Sequence, residues 1–381
     1  MNSKLFGAIA ILVGTIVGAG IFGIPYAISR VGLPLGILYL IVLGVVIFIT
    51  VLAYSEVVLR TKEEYQMTGY AGKYLGIWGK RILSFTLIFS IYGALLAYTI
   101  GVGDFLNTLL ENFFGGTPFF YSILFFVLAA LAVLAGLRTV ASLEKAMTSI
   151  LIFTIFLIGI LVFRNINPEN FFNFDKHYLF LPYGVILFAF TGATAVVDMK
   201  KLLKGEEKKL KKAILLGHII PFVIYLLFAI FVVGVTGIAT SEEAIFGLRE
   251  AMGPGMAAVG ALLGILTMTT SFLILGLVLK EIFIFDYKLK KLSAWFWAMI
   301  IPFIVFIFGL TSFIKVIGLV GAVVGGLDGI IILMMYKKAK KLGNQSPAYS
   351  FNLPRFIYYL LFLIFGLGVL YEIYFSFFGR V

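Results

Sequence analysis

Three short stretches hold most of the chemistry this chain can do. The first, residues 14–25, reads GTIVGAGIFGIP and lies inside a run over 5–29 that carries no formal charge. Gly14, Gly18, Gly20, Gly23 and Pro25 within one helix-length segment weaken its hydrogen-bond ladder, so the sequence predicts a helix broken partway along. The break would aim the N–H groups around Ala19, Gly20 and Ile21 at one point, with a half-helix dipole behind them. That is a seat for a carboxylate. The second stretch, LFAFTGATAVVD at 187–198, again joins a glycine to hydroxyl side chains, in Thr191, Gly192 and Thr194. Carbonyls near Ile16 in the first stretch and near Phe188 and Thr191 in the second can accept from an ammonium. A molecule carrying both charges, an α-amino acid, fits both halves. The plainer reading of these glycines is close helix packing through Gly14-x-x-x-Gly18, which leaves Gly20 and Pro25 without a purpose.

The third stretch is TMTTS at 267–271. Thr267, Thr270 and Ser271 stand at i, i+3 and i+4, so their oxygens share one helix face. With carbonyls at Gly14 and Val17 they would make an all-oxygen cage for Na⁺. The alternative is that each hydroxyl bonds a carbonyl of its own helix. Asp328 lies nine residues before the basic cluster at Lys337, too far to reach water by extending, and is a candidate for proton relay or for pairing within the bundle. Glu56 and Arg60 stand at i, i+4 and read as a local ion pair able to serve a gate. Among 40 Phe and 19 Tyr, Phe188 and Phe190 beside the second break and Tyr92 in a mid-span position are the pocket or gate candidates. Asp104 reads as interfacial, and His177 and His218 as solvated or packing residues.

The elements that must position these groups are membrane spans. The 381 residues are 62% hydrophobic and only 13% charged, and their mean hydropathy is +1.10, values no soluble domain approaches. No cysteine and two histidines leave no thiolate metal site and almost no material for zinc or triad chemistry. Eleven apolar runs have the length that crosses a hydrocarbon core: 5–28, 33–58, 81–110, 117–137, 145–163, 180–200, 212–238, 254–280, 292–310, 313–336 and 356–378. The first is longer than a signal-peptide core and is followed at once by another span, so it reads as structure. With a cytoplasmic N-terminus, 24 of the Lys and Arg residues fall inside and six outside. This predicts N-in, C-out with an odd number of spans, and it accounts for the net charge of +12 without a nucleic-acid surface. The lysine run over 200–212 reads as a solvated loop beside anionic lipid. In the connection between spans seven and eight, Thr240 and Glu243 have capping-box spacing for a short helix.

Both predicted breaks open a five-span unit. Five is odd, so the units lie in opposite orientation, the inverted-repeat plan of secondary transporters. The expected division is 1–164 for spans one to five, 165–341 for spans six to ten and 342–381 for an added eleventh span.

Three segments carry a family likeness: GTIVGAGIFGIPYAISRVG, YSEVVLRTKEEY with AGKYLGIWGK, and YGALLAYTIGVGDFL, joined by FAFTG at 188–192. They resemble the amino acid/auxin permease group and its bacterial aromatic amino acid permease relatives, in the amino acid–polyamine–organocation superfamily. The resemblance implies the all-α LeuT-type fold with discontinuous helices 1 and 6, and alternating access. It also implies a substrate carboxylate at Gly18-Ala19-Gly20, the amine at first- and sixth-span carbonyls, and a cation near Gly14, Val17, Thr267, Thr270 and Ser271. Ala193 stands where some relatives carry an aromatic gate. The chain is thus expected to be a multi-pass protein of the cell membrane that carries a neutral, apolar or aromatic amino acid with Na⁺ or H⁺ and needs no other cofactor. An amino acid sensor built on a transporter fold and a passive channel are the alternatives, and no enzyme site is expected, since a nucleophile with its base is missing.

Overall fold

The computed structural model describes residues 3–136, 153–285 and 287–378. The chain opens with α1 (Ser3–Ile16) and α2 (Gly20–Val31), two helices that meet at 58° across a short break. The ladder fails where the glycines lie. Val17 N–H still donates to Val13 O (2.7 Å), but Gly18 N–H turns to Ile16 O (2.9 Å), and bonding resumes only through Ile21 to Gly18 O and Phe22 to Ala19 O. The predicted break is therefore present.

Helix α3 (Leu33–Leu59) is followed by α4 (Met67–Phe114), whose first turns are set off from its long apolar part by Gly76 at φ +74°, a value that glycine adopts without strain. Then come α5 (Pro118–Ala135), started by Thr117 accepting from Phe120 N–H, and α6 (Phe153–Asn165). The sixth apolar run is again split, into α7 (Leu181–Ala189) and α8 (Ala195–Leu202). The remainder is α9 (Leu210–Thr236), short α10 (Phe246–Met252), α11 (Pro254–Phe285), α12 (Lys291–Ile307), α13 (Phe313–Leu319), a π-helical turn (Val320–Gly325), α14 (Gly326–Leu342) and α15 (Arg355–Phe378).

Among the described residues seven helices are long and apolar enough to cross a membrane, or eight if α1 and α2 form one span. The difference from the eleven apolar runs has physical causes. Halves of a broken span fall below crossing length one by one, α12 has 17 residues, and the run over 145–163 begins outside the described residues, along with Arg138, Lys145, Thr148 and Ser149. The capping-box expectation is corrected. The short helix begins at Phe246, and Thr240 Oγ1 instead donates to Gly237 O (2.6 Å) and lies beside Thr236 Oγ1.

The helices pack as two groups. α1 and α2 lie against α8, α9 and α7, with α3 alongside, while α4 gathers α5, α11 and α12. The stretch α13–π turn–α14 touches both groups, through α7 and α3 on one side and α4 on the other. Large apolar side chains such as Leu38, Val45, Phe85, Leu128 and Leu363 are exposed along the outer helix faces, as a lipid-solvated surface requires.

Candidate functional site

The two breaks face each other. A Cβ on Gly20 would stand 2.6 Å from Ala189 Cα, so the start of α2 lies directly on the end of α7. A Cβ on Gly192 would stand 2.7 Å from Ile16 Cγ1, so the second break rests on the first. One side chain ties them together. The fully buried Tyr225 of α9 places its hydroxyl 2.7 Å from Ile16 O and 2.8 Å from Ala189 O, and its ring meets Phe190 edge-on. A phenol buried inside the bundle must find an acceptor, and a broken helix offers carbonyls that have lost their own partners.

Around this tie, backbone groups remain open. No acceptor within the protein reaches the amides of Ala19 and Gly20 among the described residues. Ile21 N–H makes a long bond of 3.3 Å to Gly18 O. In the second break the N–H of Thr191 returns to Phe188 O, and those of Ala195 and Val196 to Gly192 O and Ala193 O. Space is open too. A Cβ at Gly14 or Gly18 would meet nothing within 4 Å, and Thr15, Thr191 and Thr194 are exposed although they sit midway along their spans. Unpaired amides beside open space at a helix start suit an anionic group.

Other expected residues fall elsewhere. The carbonyl of Ile16 takes Tyr225 O–H and Gly18 N–H, so it is not left for an ammonium. Phe190 is fully buried against Tyr225 and belongs to the core, whereas Phe188 is half-buried. Tyr92 turns toward α12, donating to Trp297 O (2.8 Å), and so points away from the breaks. On α11, Thr270 donates to Thr267 O (2.9 Å), Ser271 is half-buried, and Thr267 Oγ1 is buried without a hydrogen-bond partner among the described residues. Helix α11 packs chiefly on α4, α12, α10 and α5, and neither half of span one is among these principal neighbours of Thr267, Thr270 and Ser271. Val17 is buried in the first break and Gly14 half-buried. His218 is a packing residue, its Nδ1 2.8 Å from Ile214 O and its ring edge-on to Phe48.

Three acidic residues are built into the structure. Asp328 of α14 lies 2.7 Å from Thr86 Oγ1 of α4. Glu56, with no exposed surface, binds Arg60 Nε (2.7 Å) and also the N–H of Phe351 (2.6 Å) and the hydroxyl of Ser350 (3.2 Å), so its pair with Arg60 holds down the segment 343–354. Glu243, in the connection before α10, is buried and hydrogen-bonded to Asp104. Burial, with the carboxylates of Asp104 and Glu242 beside it, pushes the Glu243 carboxyl well above the usual carboxylate range. Glu242 accepts from Ser312 Oγ and Ile314 N–H at the start of α13, and Asp104, Glu242, Glu243 and Ser312 line a cavity of about 460 Å³. The sequence reading missed Tyr225 as a site residue. Its signal was present, since it is the lone phenol in the apolar run 212–238.

Two broken helices packed break to break, inside a bundle of apolar helices long enough to cross a membrane, define an integral membrane fold built around a pair of interrupted helices. The chain superimposes on the crystal structure of MhsT in complex with L-phenylalanine with a TM-score of 0.68 at 14% identity, covering 98% of each chain. It belongs to the tryptophan/tyrosine permease family, whose model matches residues 1–372. The broader resemblance to amino acid permeases is thus narrowed to this family. The chain is 23% identical to tyrosine-specific transport system 1 of Haemophilus influenzae over 367 residues, 91% of this chain and 90% of that protein. It is 25% identical to glutamine transporter 2 of Aliivibrio fischeri over 239 residues, 61% of this chain and 62% of that protein, so the latter match spans less than two thirds of its relative. The chain is an integral membrane permease rather than an enzyme.

Proposed function

We propose that the protein is a secondary active carrier for a neutral amino acid with an apolar or aromatic side chain, working by alternating access and driven by Na⁺ or H⁺. The observation that carries this reading is the meeting of the two breaks: amides of Ala19 and Gly20 without acceptors beside open space at Gly18, with the halves tied by Tyr225. The carboxylate would sit on those amides. With Ile16 O engaged, the ammonium is left to the sixth-span carbonyls near Phe190 and Thr191, whose oxygens have no donor among the described residues. No charged side chain lies within the breaks at 17–19 or 190–194, which favours a neutral side chain on the substrate. Relatives named for tyrosine and glutamine transport agree with a neutral amino acid.

The same reading takes the chain as eleven spans, N-terminus inside and C-terminus outside, with 1–164 and 165–341 as inverted repeats and 342–381 as an addition. Splits at equivalent first positions of the two units support it. For the driving ion, the unpartnered Thr267 Oγ1 supports a Na⁺ site on α11, and Asp328 supports H⁺.

The test is uptake by purified protein in proteoliposomes, with labelled L-tyrosine, L-tryptophan, L-phenylalanine and L-glutamine under imposed Na⁺ or pH gradients. Accumulation above equilibrium of at least one of them is expected. Binding without any movement would make the protein a sensor, and uptake indifferent to every gradient would make it a passive pore.

A further inference from the structure

We propose that the groove between α5 and α12 binds an anionic phospholipid, with one acyl chain lying in the groove and the phosphate held at its lysine-bearing end. The groove is a cavity of about 230 Å³ lined by apolar and aromatic side chains, among them Phe126, Ala130 and Leu131 of α5 and Trp295, Phe296 and Met299 of α12. Ala130 and Met299 are buried and form its floor, whereas Leu131 and Phe296 are exposed, so it opens on the lipid-facing surface. Both ends are fixed. Trp295 Nε1 donates to Ala130 O (2.7 Å) at one, and at the other the Phe126 ring stacks on Phe303 with centroids 5.0 Å apart. From Trp295 to Phe303 the groove runs about 12 Å along α12, close to half of a hydrocarbon core of about 30 Å. That is the depth of the chains of one leaflet.

Positive charge gathers at the Trp295 end. Lys280 of α11 is only 4% exposed, and its Nζ donates to Val133 O, three residues beyond Ala130 on α5. An ammonium carries three N–H donors, and among the described residues no carboxylate forms an ion pair with this one. Lys291 repels Lys280 more strongly than Glu281 attracts it. Lys288, Lys290 and Lys291 are exposed in the connection and at the start of α12. That helix also begins without a side-chain cap. Its first backbone bond is Ala294 N–H to Lys290 O (2.8 Å), so the N–H groups of Lys291, Leu292 and Ser293 have no acceptor among the described residues. A buried ammonium calls for a counter-charge, and the open amides of a helix start favour the same sign.

The two features are adjacent. Trp295, where the groove begins, is four residues past Lys291, about 6 Å along the axis. A free phosphate would answer the charges without using the groove, and a neutral lipid would use the groove without answering Lys280. A phospholipid with an anionic head does both. In the orientation proposed above this end lies in the cytoplasmic leaflet, where lysines close to the surface gain from anionic lipid. A head group there touches the end of α11, the start of α12 and the last turn of α5 at once, so the bound lipid clamps three helices.

The experiment uses the full chain, purified and delipidated in a nonionic detergent, with thermal unfolding read after addition of dioleoyl phosphatidylglycerol, dioleoyl phosphatidylcholine or inorganic phosphate. Phosphatidylglycerol is expected to raise the melting temperature, and the other two to leave it in place. Lys290→Gln combined with Lys291→Gln should move the phosphatidylglycerol response to higher lipid concentration by about fivefold for each lysine removed. Lys280→Met should weaken the response as well; if it does not fold, the exposed pair serves alone. Val127→Trp fills the groove from its exposed rim and should weaken the response with every lysine in place. The chain has no cysteine, so Phe296→Cys supplies a single thiol in the groove, expected to stay monomeric on oxidation in proteoliposomes. Equal stabilisation by phosphatidylcholine or by phosphate alone, or an unchanged response in the lysine pair or in Val127→Trp, would overturn the lipid site. A disulfide-linked dimer through residue 296 would also overturn it, by placing a second copy of the chain on the groove. None of these outcomes bears on the carrier function, which the uptake assay tests.

Discussion

The phenolic oxygen of Tyr225 sits 2.7 Å from the carbonyl oxygen of Ile16, on the last residue of α1 before the chain breaks. The same hydroxyl reaches Ala189 O, the last residue of α7, at 2.8 Å. One proton is therefore shared between the two broken spans. Tyr225→Phe keeps the ring against Phe190 and removes only this tie. It is expected to cost about 1–3 kcal/mol, since Ala189 O is left buried without its partner. Uptake should suffer more than folding, because the breaks lose their mutual position. Thermal unfolding and tyrosine uptake measured on the same preparation check this, and full uptake in the phenylalanine variant would show that the tie is dispensable.

Two glycines of the first break, Gly18 and Gly20, should respond in opposite ways. A Cβ at Gly20 collides with the Ala189 backbone at 2.6 Å, and backbone cannot rotate away, so Gly20→Ala is expected to destabilise the protein by about 1–3 kcal/mol as an overpacked contact. A Cβ at Gly18 meets nothing, so Gly18→Ala should fold as the wild type does. Its methyl group enters the space that the proposed function assigns to the substrate, and on that proposal affinity for the amino acid should fall by about tenfold, the effect of a misfit of one methyl-sized group. The check is a thermal shift with and without tyrosine for each variant. Equal ligand-induced shifts in Gly18→Ala and wild type would move the substrate away from the first break.

These contrasts mark what was legible in the sequence. The breaks could be read directly, because a run of glycines and a proline in an uncharged span has few other outcomes in lipid. The apolar runs that become α3, α4 and α9 were equally plain. Pairing across long separations escaped: Tyr225 with Ile16, Thr86 with Asp328, and Glu56 with Phe351 are 209, 242 and 295 residues apart. No local period carries such information. The places of Phe190 and Tyr92 escaped for a related reason: whether an aromatic side chain faces a cavity or packs behind it depends on its rotation about the helix, and beside a break a few residues of irregular backbone reset that angle.

Outside the spans, Glu243 makes a pH prediction whose sign is set by its raised carboxyl. The folded protein holds this proton more tightly than the unfolded chain, so the stabilisation is complete below the ordinary glutamate range, near about pH 4.3, and fades as pH rises toward the folded value. The connection before α10 should therefore dock most firmly in acid and loosen toward neutrality. Glu243→Gln, neutral at every pH, should flatten that dependence and raise the melting temperature relative to wild type at about pH 8. A variant with the same slope of melting temperature against pH as the parent would mean that the Glu243 proton is not retained.

At the Arg60 end of α3, Glu56 is a buried acceptor for three donors on two segments: Arg60 Nε, Ser350 Oγ and Phe351 N–H. The strap 343–354 is fastened further by Tyr349 to Ser55, by Asn344 to Glu63 and by the amides of Asn344 and Gln345 to Arg60 O. It thereby joins α3, which packs with the broken spans, to the end of α14. Glu56→Gln would turn an amide N–H toward donors and leave Arg60 without its counter-charge, at a cost of about 3 kcal/mol for a pair with one member fully buried. The strap should detach before the bundle melts, exposing bonds within 343–354 to protease while ligand-induced stabilisation by tyrosine persists. Because a freed strap removes a restraint between α3 and α14, exchange of internal for external tyrosine should become faster, or at least no slower. Unchanged protease resistance in the glutamine variant would show that the remaining strap bonds suffice, and slowed exchange would show that the strap supports the transport cycle rather than restraining it.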